Sequence, residues 1–199
     1  MIDYSDPATP TVRKPVSIPG ALEGVSHEGE LLYTSGIHWT TNQTDWRTWL
    51  DASAYDGVSA HPVATLPLPE SWPHPLLVVN QSVVIGRADY PANPTNPPAH
   101  MLETWDVDEK GTFVLTSAVK LKQPANSMVQ RNGLLAVQGS DSGLELFDAT
   151  DPALLGPLGS FSVPGCLWFD LNASQGGLAG GLWMPLSAYG VAHAPLKAP

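Results

Sequence analysis

Three things are scarce in this 199-residue chain: cysteine, basic residues and long apolar runs. Cys166 is the single cysteine, which excludes an intrachain disulfide and leaves a thiolate metal site without ligands. Lys and Arg total 9 against 19 Asp and Glu, a formal charge of −10, and the basic residues form no cluster. A polyphosphate backbone or an anionic membrane surface needs a basic patch, so nucleic acid is excluded as a partner. No apolar stretch approaches the roughly 18 residues of a membrane-spanning helix, so membrane insertion by a helix is excluded too. No segment keeps apolar residues at i, i+3, i+4 and i+7 without Pro or Gly intervening, which excludes long amphipathic helices. The opening "MIDYSDPATPTVRKP" lacks the basic start and apolar middle of a secretion signal, and such a signal would lie upstream of it.

What the chain does have is 18 Gly, 20 Pro and 43% hydrophobic residues, a composition suited to many short strands joined by turns. It also has a repeat. Shifted by 145 residues, Ile2–Gly20 falls on Phe147–Gly165 without a gap, and seven of the nineteen positions are identical. Each copy has a strand ending in Asp, then a Ser/Thr-Asp-Pro turn. There the Asp carboxylate can accept a backbone N–H, while Pro fixes φ and removes a donor. A second strand follows and stops at Pro-Gly. Weaker marks stand at Asp51, Asp106 and His193. The series Asp3, Asp51, Asp106, Asp148, His193 is spaced by 48, 55, 42 and 45 residues, the period of a four-stranded propeller blade. As the Asp residues recur once per blade at strand ends, they read as turn caps.

The sequence therefore predicts an all-β protein, a β-propeller of about four blade units, each a four-stranded antiparallel meander. The units run over 20–67, 68–122, 123–164 and 165–199, with 1–19 adding to the last. Within one period the expected strands are "NSMVQR", "LLAVQG", "LELFDA" and "LGSFSV". A β-sandwich is the alternative built from short strands. Either the N-terminal strand completes the last blade, pairing residues 11–18 beside 186–194, or the chain is the C-terminal portion of a longer propeller whose remaining blades are its partner. The second is the favoured expectation.

The phrases "GLELFDATDPALLGPLGSFSVPG" and "IDYSDPATPTVRKPVSIPGALEGVSHEGELLYTSG" resemble the LVIVD repeat of bacterial β-propeller proteins. The resemblance covers those two units well and the middle only partly, where Lys110-Gly111 stands in place of Asp-Pro. It implies a secreted, periplasmic or cell-surface scaffold that offers an interaction surface and shares no catalytic residue set.

In "GSDSG" the turn between second and third strands is minimal, but "GIHWTTNQTDWRT" and "GRADYPANPTNPPAH" are long. These loops and the connections between blades are expected on one face, gathering Trp39, Trp46, Arg47, Trp72, His74, Arg87, Asp89, Tyr90, His100 and Trp168 as candidate binding residues. Indole and phenol rings with a guanidinium fork suit a protein or glycan ligand. The plainer reading is that the Trp side chains staple loops to the blades. No H-E-x-x-H, G-x-S-x-G or phosphate-loop motif occurs, so neither metal nor cofactor is implied and no catalytic residue is assigned. "DVDEKG" reads as a solvated turn. The alternative function is an exported hydrolase or lyase with a pocket on the same face, using His74, His100, Asp89 or Asp170 as acid and base.

Overall fold

The 145-residue offset is written into the backbone. In the computed structural model, which describes residues 2–3, 6–12, 14–39, 46–68, 75–89, 98–139, 143–162 and 170–196, strand β1 (Ile2–Asp3) pairs with β2 (Thr11–Val12). The pairs Ile2↔Val12 and Asp3↔Thr11 reappear 145 residues later as Phe147↔Pro157 and Asp148↔Gly156. The turn repeats atom for atom. Asp6 Oδ1 accepts the Ala8 N–H at 3.0 Å, as Asp151 Oδ1 accepts that of Ala153 at 3.0 Å. The carbonyls of Asp6 and Asp151 take the next amides, Thr9 and Leu154.

Seventeen strands are described, and they form antiparallel meanders in chain order. The first four-stranded sheet is β3 (Ala21–Ser26), β4 (Leu31–Trp39), β5 (Trp46–Tyr55) and β6 (Ala60–Pro67). The second is β7 (Leu76–Val79), β8 (Ser82–Asp89), β9 (Ala99–Val107) and β10 (Phe113–Lys120). The third is β11 (Ser127–Arg131), β12 (Leu134–Gln138), β13 (Gly143–Asp148) and β14 (Gly156–Ser162). The last has three strands, β15 (Gln175–Gly177), β16 (Gly181–Pro185) and β17 (Val191–Ala194). The fold is all-β, and its sheets have the order and direction of propeller blades. The chain divides into two compact units, Met1–Glu70 with Val107–Val114, and Ser71–Asp106 with Leu115–Pro199.

In the second unit the third sheet shows why blades stack. A strand alternates its side chains between two faces, and here both faces are apolar. Leu134 and Ala136 of β12, with Leu144 and Leu146 of β13, join Leu182, Met184 and Ala194 of the last sheet in one buried cluster. Leu135 and Val137 of β12, with Phe147, join Val79, Val84 and Leu102 of the second sheet in another. Burial on both faces leaves a near-continuous apolar run in sequence, as "GLLAVQG" shows.

The register corrects two of the blade marks. The first residue of the second strand is Leu31 in one sheet and Leu134 in another, and their third-strand partners are Ala54 and Asp148. Ala54 thus holds the position of Asp148, and Asp51 lies three residues inside the strand. One step beyond Val83↔Trp105, Asp106 falls opposite Ser82 and does occupy the Asp148 position. His193 stops short of it, since Ala194 already pairs with Leu182; its Nε2 instead donates to the Gly180 carbonyl at 2.8 Å. Capping holds at Asp148, whose Oδ1 takes the Thr150 amide at 2.9 Å. It does not hold at Asp51.

Candidate binding hairpins

Residues 37–39 and 46–49, expected in a loop, are strand. The β4–β5 ladder runs unbroken to Trp39↔Trp46, and residues 40–45 at its tip lie outside the described residues. Ile, Trp and Thr are strong strand formers, and facing aromatic pairs stabilise a ladder by about 0.2–1 kcal/mol each. Along one face Ile37 is opposite Thr48 and Trp39 opposite Trp46. Ile37, Trp39 and Trp46 are 60%, 63% and 55% exposed, so more than half of each of these side chains faces solvent.

The other face carries Arg47 opposite His38, Trp49 opposite Gly36, and Asp51 opposite Thr34. His38 stacks on Trp49 with centroids 5.4 Å apart and planes 15° apart. Its Nε2 meets Asp51 Oδ2 at 2.8 Å. Asp51 is buried, as are Thr34 and Ser53 on the same face, whose hydroxyls have no hydrogen-bond partner. Burial raises the Asp51 carboxyl above its ordinary value, and His38 offsets this only in part.

A raised folded value stabilises the fold below the ordinary carboxyl range, and that contribution is lost as pH climbs through the raised value. Asp51→Asn keeps the shape and an acceptor for His38 while removing the charge. Its urea midpoint is expected to gain on the wild type between pH 4 and pH 7 and to be no lower at pH 7. A midpoint lower at pH 7 and equal at pH 4 would show that the ionised pair stabilises the sheet.

In the second sheet residues 87–89 and 99–100 are likewise strand, with Ala88↔His100 and Asp89↔Ala99 as the last described pairs. Arg87 Nε holds Asp89 Oδ1 at 2.9 Å, and its Nη1 lies 3.6 Å from Glu103 Oε1. Trp105 Nε1 donates to Glu103 Oε2 at 3.1 Å. Burial works against the Arg87 charge, but the Asp89 hydrogen bond and the Glu103 field outweigh it and hold the guanidinium above its ordinary value. Arg87 and Asp89 are thus tied to each other. His100 passes its carbonyl to the Leu121 amide, and its Nδ1 is buried without a partner. Asp170 caps a short 3-10 turn by accepting the Asn172 amide at 2.9 Å. Among the described residues no hydrogen bond joins Asp89, His100 and Asp170. Trp72, His74, Tyr90 and Trp168 lie outside the described residues.

One feature was not foreseen. Glu103 stands opposite Ile85, Asp51 opposite Thr34, and Glu145 opposite Val137. Each partner is the fourth residue of its second strand, so all three complete sheets carry a carboxylate at one register position. Their partners are His38, the Arg87–Trp105 pair and the Lys122 amide, the last at 2.7 Å. A sequence signal existed, since each acid follows a fully buried Leu: Leu50-Asp51, Leu102-Glu103, Leu144-Glu145.

A cleft of about 600 Å³ in the first unit is lined by turn residues including His27, Glu30, Tyr55, Asp56, His61 and Asp108. Two of its acids, Asp56 and Asp108, are turn caps. The Ser59 and Val58 amides, at 2.7 and 2.8 Å, hold the Asp56 carboxyl at about 2. Asp108 takes the amides of Lys110 and Thr112. Among the described residues no group of three His, Cys, Asp or Glu side chains could hold a metal ion. No family model matches the chain, and no curated protein matches it.

Proposed function

We propose that this chain is a noncatalytic β-propeller scaffold of LVIVD-repeat type, acting outside the cytoplasm, that binds a protein or glycan partner through its extended hairpins. The observation that carries this reading is the facing pair Trp39 and Trp46, more than half exposed on strands that outrun the blade. An exposed indole pair offers flat apolar area with hydrogen-bonding edges, the composition of binding hot spots. Arg47 follows Trp46 on the other face of the same hairpin, opposite His38, and its planar donor fork would serve a carboxylate or hydroxyl of a ligand that wraps the hairpin.

A glycan array and a displayed random-peptide library, probed with wild type and Trp46→Ala, test it. At least one specific hit is expected, weakened by about 1–3 kcal/mol in the variant while the melting midpoint is unchanged. No specific hit in either screen, or hits indifferent to Trp46 and to Trp39, would overturn the reading.

A further inference from the structure

We propose that the cleft in the first unit is a binding site for a small organic amine, a cation carried on an apolar body. Its place sets it apart from the indole pair. Leu31↔Ala54 opens the β4–β5 ladder and Trp39↔Trp46 closes it, so the cleft lies at the other end of these strands from the exposed indoles.

Two of its walls are turns held by their own acids. Asp56, in the β5–β6 turn, accepts the Val58 and Ser59 amides, and Asp108, in the β9–β10 turn "DVDEKG", accepts those of Lys110 and Thr112. Gly111 brings the second turn against the first sheet: its φ is +72°, and a Cβ there would lie 2.7 Å from the Val63 carbonyl oxygen. Any side chain at this position would push the turn off β6. The cleft is therefore formed before a ligand arrives, and its volume of about 600 Å³ is that of a small-molecule site.

The lining selects the occupant. Leu31, Tyr55, Val63 and Val107 supply apolar surface that favours a hydrocarbon body. The charged groups are Glu30, Asp56, Asp108 and Glu109, with His27 and His61, and among the described residues no Lys or Arg lines the cleft. Among the described residues the carboxylates of Glu30 and Glu109 have no hydrogen-bond or ion-pair partner. Four acids around one cleft repel one another in a chain already at −10, and a cation relieves that repulsion where an anion adds to it. A bare metal ion does not match, since among the described residues no three ligating side chains converge. An ammonium on an apolar body meets both features: its charge sits by Glu30 and Glu109, and its body covers Leu31 and Tyr55.

Titration with tryptamine, followed by backbone amide NMR, tests this. N-acetyltryptamine carries the same ring without the charge, and ethylamine the charge without the ring. Tryptamine is expected to bind saturably, to shift amides of residues 27–31, 54–63 and 107–111, and to weaken with added salt. N-acetyltryptamine and ethylamine should each bind about fivefold or more weakly. The double variant Glu30→Gln, Glu109→Gln keeps side-chain shape at two exposed positions; it should weaken tryptamine about fivefold or more and melt as the wild type does. Glu28→Gln, the same change of charge just outside the lining, should alter binding less than about twofold. No saturable binding of tryptamine, equal binding of N-acetyltryptamine, indifference to the double variant, or shifts confined to other segments would overturn the proposal. So would a short peptide with one Lys that binds where tryptamine does not, which would assign the cleft to the basic side chain of a protein partner.

Discussion

Phe147→Ala is expected to lower the unfolding free energy by about 3–5 kcal/mol, the range for deleting a buried aromatic ring. Phe147 is 2% exposed and stands next to last in the third strand of the double-faced sheet. Its ring enters the cluster that Val79, Val84 and Leu102 of the second sheet share with Leu135 and Val137 of the third. The backbone on both sides is held by ladders, so the void cannot collapse cheaply. Leu154, seven residues later and 76% exposed, is the matched control, and Leu154→Ala should cost close to nothing. Urea denaturation followed by tryptophan fluorescence reads both. A cost below about 1 kcal/mol for Phe147→Ala would mean that the two sheets are not packed through this residue.

The second large effect is expected at Gly20. Its φ is +84°, and a Cβ there would lie 2.0 Å from the Ser35 carbonyl oxygen and 2.6 Å from its carbon. Both are backbone atoms of β4, at the root of the extended hairpin, and neither can rotate away. The left-handed conformation alone costs an L-residue about 1–2 kcal/mol. The contact adds to that, so Gly20→Ala should lose clearly more than about 2 kcal/mol. Gly29, in the 3-10 turn between β3 and β4, separates the two contributions, because its φ is +93° but nothing lies within 4 Å of a built Cβ. Gly29→Ala should lose only the conformational part, and equal losses at both positions would refute the close approach of Gly20 to β4.

The third sheet was legible because its alternation is clean and its turns are marked. "NSMVQR", "LLAVQG", "LELFDA" and "LGSFSV" map onto β11 to β14, with Asn132-Gly133 and Asp151-Pro152 doing the turning. The hairpin extension was not legible, because "TTNQTD" carries turn-forming residues that make the whole stretch read as loop. Only the register shows that Trp39 faces Trp46. The Asp51 mark slid because β5 outruns the other third strands, and the turn acid of its sheet is Asp56. The repeated carboxylate has only a weak linear signal, the Leu before it, for a related reason. A period set by turn residues counts from strand ends, whereas Asp51, Glu103 and Glu145 are fixed by cross-strand pairing, which a linear pattern does not show. Of the proposed binding residues, sequence singled out the Trp39–Trp46–Arg47 group for its aromatics, and the backbone then set the two indoles opposite each other.

Hydrogen exchange with mass spectrometry on the complex with the strongest array or library hit tests the binding claim most directly. Added protection is expected in the amides of residues 37–39 and 46–48, lost together with affinity in a Trp39→Ala, Trp46→Ala double variant that melts as the wild type does. Protection confined to other strands, with these amides exchanging as in the free chain, would contradict the account.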